Sequence, residues 1–190
     1  DNMTGRVFLP ALRYLTDRGR HGWINAVWRR SENEGLFRSL APEQEDEVLA
    51  SMVICPNINH NAEQILKAIA AKSPEKVIDF FGKRLAHEKG LQSSRGYDEV
   101  PYEFHDLRET LQKIPEQLVA KVREWFASDN ELFAYRGGRM IAAVFPEPED
   151  QLLKPLHELA GTGKLDDVEF VIEVLKNYHG QVVLHDLLKD

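Results

Sequence analysis

The sequence predicts an all-α chain, and three observations carry that prediction. Apolar residues recur at intervals of one, three and four along most of the 190 residues, the spacing that puts them on one face of a helix. Prolines followed by an acid mark helix starts. No segment alternates β-branched and polar residues as a half-buried strand would; Val182-Val183-Leu184 comes nearest and leads into a helix-like ending.

Taken in order, the stripes are Val48, Leu49, Met52 and Val53; Ile65, Leu66 and Ile69; and Val77, Ile78, Phe81 and Leu85. Leu118, Val119, Val122 and Phe126 follow, then Leu152, Leu153, Leu156 and Leu159, and last Val168, Val171, Ile172 and Leu175. Ser73-Pro74-Glu75 reads as a cap residue, a proline at the first helical position and an acid facing the positive helix end. Ile114-Pro115-Glu116 repeats the proline and acid, and Asp166-Asp167 opens the last stripe with the same charge logic. Gly90, Gly161 and Gly180 stand where stripes end, where left-handed caps are expected.

Pro74-Glu75-Lys76-Val77-Ile78 aligns with Pro115-Glu116-Gln117-Leu118-Val119, 41 residues on, and each run continues to an aromatic pair, Phe80-Phe81 or Trp125-Phe126. A two-helix unit of about 40 to 47 residues is the period of HEAT and armadillo arrays. In that pattern the chain resembles a HEAT-like α-solenoid, most clearly from Glu43 to Asp190. The resemblance implies an α-α superhelix of stacked antiparallel helix pairs; the alternative is an irregular helical bundle. The expected organisation is one helical domain over 1–190, with Arg- and Trp-rich first helices in 1–40, helix pairs in 41–190, and an irregular loop at 90–104. The opening Asp1-Asn2-Met3 fits either a two-residue remnant before Met3 or a fragment cut from a longer chain.

Composition bounds the function. One cysteine, Cys55, rules out an internal disulfide framework and a thiolate zinc cluster, so a reducing, cytoplasmic setting is expected. No apolar run reaches the ~20 residues of a membrane span. A net charge of -7 opposes indiscriminate binding to nucleic acid or anionic lipid. Residues 1–40 run the other way: seven arginines and no lysine, interleaved with Tyr14, Trp23, Trp28 and Phe37. Trp23, Trp28, Arg29 and Arg30 are therefore the residues for a nucleic-acid-binding alternative, since arginine and aromatics grip single strands. The structural reading buries the tryptophans in the first helix pair.

Two segments break the helical rhythm. The loop from Gly90 to Phe104 mixes Tyr97, Tyr102 and Phe104 with Asp98, Glu99 and Glu103. Loops this long are uncommon in compact domains unless they bind something, so Tyr97, Asp98, Tyr102 and Phe104 are candidate partner-binding residues; the competing reading folds the aromatics back over a helix pair. Gly137-Gly138, between Arg136 and Arg139, marks close helix packing or a turn presenting the two arginines, which join the partner-binding candidates.

Catalytic motifs are sparse. His157-Glu158-Leu159-Ala160-Gly161 has glycine where a zinc-peptidase helix needs its second histidine. No nucleophile elbow, Walker loop or dinucleotide glycine pattern is present, and no cofactor is expected. His105-Asp106 and His185-Asp186 are adjacent His-Asp pairs in a helical chain. They resemble the HD-domain phosphohydrolases, whose metal site joins an earlier His, the His-Asp pair and a later Asp. That resemblance implies His60, His105, Asp106 and Asp166 as metal ligands; His185-Asp186 has no later Asp helix to complete it. The leading expectation is a non-catalytic protein-interaction scaffold, the C-terminal sensing or regulatory region of a larger intracellular protein. Its partner would be a protein or another domain of the same polypeptide.

Overall fold

The structure is a computed structural model, and it describes residues 7–30, 34–91, 96–128 and 131–178, without the side chains of Trp28, Arg29, Arg30, Glu34 and Lys89. The chain is all-α: among the described residues there are eleven α-helices and no strand. Their contacts divide the chain into two compact units where the sequence reading expects one domain. Unit 1 is Asp1–Pro101 with His105–Thr110; unit 2 is Tyr102–Phe104 with Leu111–Asp190.

Unit 1 holds α1 (Leu9–Thr16), α2 (Trp23–Arg30), α3 (Glu34–Arg38), α4 (Pro42–Met52), α5 (His60–Ala70) and α6 (Pro74–Gly90). Helix α1 packs on α4, α2 and α3 pack on α5, and α6 packs on both α4 and α5. The core between them takes Phe37, Val48, Met52, Ile65, Leu66, Ile69, Phe80, Phe81 and Leu85, all fully buried. Burial of side chains this size contributes about 1.5–3 kcal/mol each before entropy is subtracted. Helix α5 is capped by Asn59, whose Oδ1 accepts from the Ala62 N–H at 3.0 Å. Ser73 does not cap α6 as expected; its hydroxyl donates instead to Glu45 Oε2 at 3.0 Å. Glu45 is wholly buried, and its carboxylate also meets the ammonium groups of Lys72 and Lys76. The serine is therefore drawn into satisfying a buried charge, which would be costly if left unpaired.

Unit 2 holds α8 (Pro115–Phe126), α9 (Glu131–Val144), α10 (Asp150–Ala160), α11 (Leu165–Leu175) and a closing 3-10 turn, Lys176–Tyr178; the short α7 (Arg108–Leu111) lies at the crossover between units. Helix α8 packs on α9 and α10 on α11; across the two pairs, α8 packs on α10 and α9 on α11. Leu118, Val122, Met140, Ile141, Phe145, Leu152, Leu156 and Phe170 fill the core. The Tyr178 phenol donates to the Phe145 carbonyl at 2.7 Å and pins the last described turn to the end of α9.

Gly137 and Gly138 lie inside an uninterrupted α9, so packing rather than a turn accounts for them. A Cβ at Gly137 would stand 2.6 Å from Val122 Cγ1 on α8, and one at Gly138 would stand 2.8 Å from Asn177 Nδ2.

Several local expectations shift. Gly161 ends α10 in right-handed geometry, while the left-handed residue is Gly163, at φ 68°; Gly90 is the last residue of α6 with no positive φ, and Gly180 lies outside the described residues. On α11 the buried apolar set is Phe170, Val171, Val174 and Leu175, and Ile172 faces solvent. Val53 falls just past the end of α4. The aligned starts at Pro74 and Pro115 open helices in different settings: α6 packs on the helix before it, α8 on the helix after it. Shared start chemistry is thus no guide to position in a repeat.

Candidate functional site

In unit 1 the irregular segment is organised by a buried cation that the stripe reading overlooks. Arg84 lies on the same face of α6 as Val77, Phe80 and Phe81 and is fully buried. Its Nε donates to the Glu99 carbonyl at 2.9 Å, and Nη1 donates to those of Met52, Val53 and Cys55 at 3.3, 3.1 and 2.7 Å. Nη2 donates to the Asp98 carbonyl. Helix α4 ends with carbonyls that no longer have helical partners, and the guanidinium fork collects them together with the loop.

Tyr97 lies over this group, its ring centroid 4.5 Å from the Arg84 guanidinium carbon, and its hydroxyl donates to the Val53 carbonyl. Burial pushes the Tyr97 phenol up to about 12 and the Cys55 thiol up to about 11, and lowers the Arg84 guanidinium below its ordinary value. Tyr97 and Asp98 therefore act as walls and acceptors of an arginine cage.

A second clamp lies at the start of α5. The buried Glu63 carboxylate accepts from three successive backbone N–H groups, those of His105, Asp106 and Leu107, at 2.6, 2.9 and 3.0 Å. His60, one turn before it, meets Asp106 Oδ2 through Nδ1 at 2.8 Å. Two of the four metal-ligand candidates, His60 and Asp106, are thus brought together. His105 is exposed, and Asp166 sits in the first turn of α11 in unit 2. Among the described residues, no three His, Cys, Asp or Glu side chains gather as a metal site would require. His185 and Asp186 lie outside the described residues.

In unit 2 the loop and α9 meet. Tyr102 is 71% exposed, yet its ring lies flat against a nearly buried cation: the Arg139 guanidinium carbon is 3.6 Å from the ring centroid. Tyr135, 56% exposed, is one helical turn before Arg139 on α9 and so shares its face. Arg136 approaches the Tyr135 ring at 5.3 Å. Three of the sequence candidates, Tyr102, Arg136 and Arg139, therefore form one Tyr–Arg surface. Phe104 does not join it, being fully buried in the core as the fold-back reading has it.

Unit 2 also carries a cleft of about 580 Å³ between α8 and α10. Val119, Ala120, Pro155 and Leu159 are its apolar lining. At the end nearest α11, Arg123 donates from Nε to Asp167 Oδ1, its Nη2 forms an ion pair with the same oxygen, and the Thr162 hydroxyl meets Oδ2 at 2.7 Å. The Thr162 hydroxyl, with the Arg123 guanidinium, holds Asp167 below the ordinary carboxylate value against the opposing effect of burial.

At the N-terminal end of the chain Trp23 is buried, edge-on to Phe8 at 6.1 Å. The Trp28, Arg29 and Arg30 side chains lie outside the described residues. Among those residues, no helix is long and apolar enough to cross a membrane. No protein-family model matches the chain, and the searches of curated proteins and of solved structures return no match either.

Proposed function

We propose that this chain is a non-catalytic protein-interaction scaffold of HEAT-like stacked helix pairs, serving as a regulatory arm of a larger intracellular protein. The packing in unit 2 supports the architectural part. First helix lies on first helix (α8 on α10) and second on second (α9 on α11), the arrangement by which solenoid repeats build a continuous core. The single buried thiol fits a reducing, cytoplasmic setting.

One observation carries the functional part: Tyr102 is largely exposed while its ring is held in place by Arg139. A surface tyrosine usually has rotamer freedom to lose on binding, about 0.5–1.5 kcal/mol for an immobilised side chain. Stacking on a guanidinium removes part of that loss before a partner arrives, and the cation–π contact itself contributes roughly 0.5–2 kcal/mol. Tyrosine and arginine are also the residues that dominate interface energetics. A large aromatic held rigid and left uncovered, with exposed Tyr135 one turn before Arg139 on α9, is built as an anchor for another protein.

The test is site-specific photocrosslinking. A benzophenone amino acid at position 102 or 135 should capture a defined protein in the native host, and the same group at exposed Gln151 should not. With that protein purified, Tyr102→Ala should weaken binding at least ~10-fold, about 1.4 kcal/mol, while the melting temperature falls by no more than the few degrees that loss of the Arg139 stack implies. Capture independent of position, or unaltered affinity of Tyr102→Ala, refutes the reading.

A further inference from the structure

We infer that the cleft between α8 and α10 is a second docking site, and that its occupant is a short basic segment bearing one apolar anchor side chain. The inference rests on the reading of the chain as an interaction scaffold but uses a different surface from Tyr102. The apolar anchor follows from the apolar lining. Val119 and Ala120 on α8 face Pro155 and Leu159 on α10, and Ala120 is too short to fill the gap. Pro155, inside α10, has no N–H to offer the Gln151 carbonyl, so the helix lacks one backbone bond where the cleft lies. The space, about 580 Å³ and open to solvent, has room for one anchor side chain with the rest of its segment left outside.

The basic character follows from the rim. Arg123 is already committed to Asp167, so within the cleft's own lining Glu116, Glu124 and Glu158 stand against Lys164. Glu116 and Glu124 do meet Lys154 and Lys121, at 3.8 and 2.9 Å. Most of those side chains are well exposed, and such pairs contribute only about 0–1 kcal/mol, so an incoming base can exchange for them. The wider field agrees. Unit 2 carries nine basic and fifteen acidic residues, a formal -6 of the chain's -7, which steers cationic partners toward it and repels anionic ones.

The experiment uses the full chain and three short fluorescein-labelled peptides. One places lysines and arginines around a central leucine, one replaces each base by glutamate, and one replaces the leucine by glycine. The first should bind saturably, weaken as salt rises, and shift the amide resonances of Val119, Ala120 and Leu159. Ala120→Trp, which fills the cleft from an exposed position, and Glu158→Lys should each lower its affinity at least ~10-fold; Ala120→Leu serves if the tryptophan variant melts early. Equal binding of the glutamate or glycine peptide overturns the inference, as do resonance shifts confined to other surfaces. So does sedimentation showing a self-associated chain that Ala120→Trp dissociates, which would make a second copy the occupant. Peptide binding lost in Tyr102→Ala but kept in Ala120→Trp also overturns it while leaving the Tyr102 anchor standing. Cleft binding without any capture at position 102 separates the two in the opposite direction.

Discussion

Replacing Gly137 by alanine sets helix propensity against packing, and the structure decides the sign. Inside a helix alanine is favoured over glycine by about 1 kcal/mol. The new methyl would stand 2.6 Å from Val122 Cγ1 and 3.6 Å from Trp125 Cε3. Val122 is buried and β-branched, so it cannot swing aside without leaving its rotamer. An intrusion of that depth belongs at the upper end of the ~1–3 kcal/mol cost of overpacking. The net expectation is a loss of about 2 kcal/mol.

Gly138 is the control. There the methyl meets Asn177 Nδ2 at 2.8 Å, the far end of an exposed side chain whose bonds to the Glu173 and Val174 carbonyls are 3.2 Å long. Displacing it loses roughly 1 kcal/mol, which the propensity gain offsets, so Gly138→Ala should be near neutral. Urea denaturation followed by far-ultraviolet circular dichroism measures both, and Gly137→Ala/Val122→Ala should lose less than the sum of the single variants. A Gly137→Ala protein as stable as the wild type, or a strictly additive double variant, refutes close α8–α9 contact as the reason for the glycine.

Three further outcomes follow from the sites described. Arg84→Met takes a donor from five backbone carbonyls; those of Met52 and Val53 keep the Cys55 N–H and the Tyr97 hydroxyl. At about 1–3 kcal/mol for each of the other three that water cannot reach, stability should fall by about 3 kcal/mol or more, with Arg84→Lys, which has fewer donors, recovering only part of it. Cys55, buried and with its thiol near 11, should react with an aromatic disulfide reagent at pH 8 only as fast as the protein opens; rapid reaction without denaturant contradicts its placement. Because the folded state holds Asp167 below its unfolded value, its contribution is present above the ordinary carboxylate range near ~3.9 and is lost as pH falls through the folded value. The melting-temperature gap between wild type and Asp167→Asn should therefore be full at pH 6 and close below pH 4, and a gap independent of pH contradicts the Arg123–Asp167–Thr162 assembly.

What could be read from the residues and what could not divide along a physical line. Helical class was legible because burial acts on each helix separately: Ile65, Leu66 and Ile69 need only share a face to be recognised, and all three are core. Rotation is harder to read, since α11 offers apolar residues nearly all round. Which of them is buried depends on its neighbours, and Ile172 ended outside. The polar centres were hidden for a related reason. Arg84 and Glu63 each interrupt an apolar stripe at helical spacing, a local signal that a charge is being buried. Their partners, however, are backbone groups at residues 52–55, 98–99 and 105–107, which carry no mark in the side-chain sequence. The loop from 90 to 104 illustrates the consequence. Its aromatics look alike as letters, yet Tyr97 covers a guanidinium in unit 1, Phe104 is core, and Tyr102 alone of the three is left largely exposed. What separates Tyr102 from the others is the cation beneath it. Arg139 supplies a stacking face without covering the ring's outer side, so the same residue that satisfies the fold keeps the anchor available to a partner.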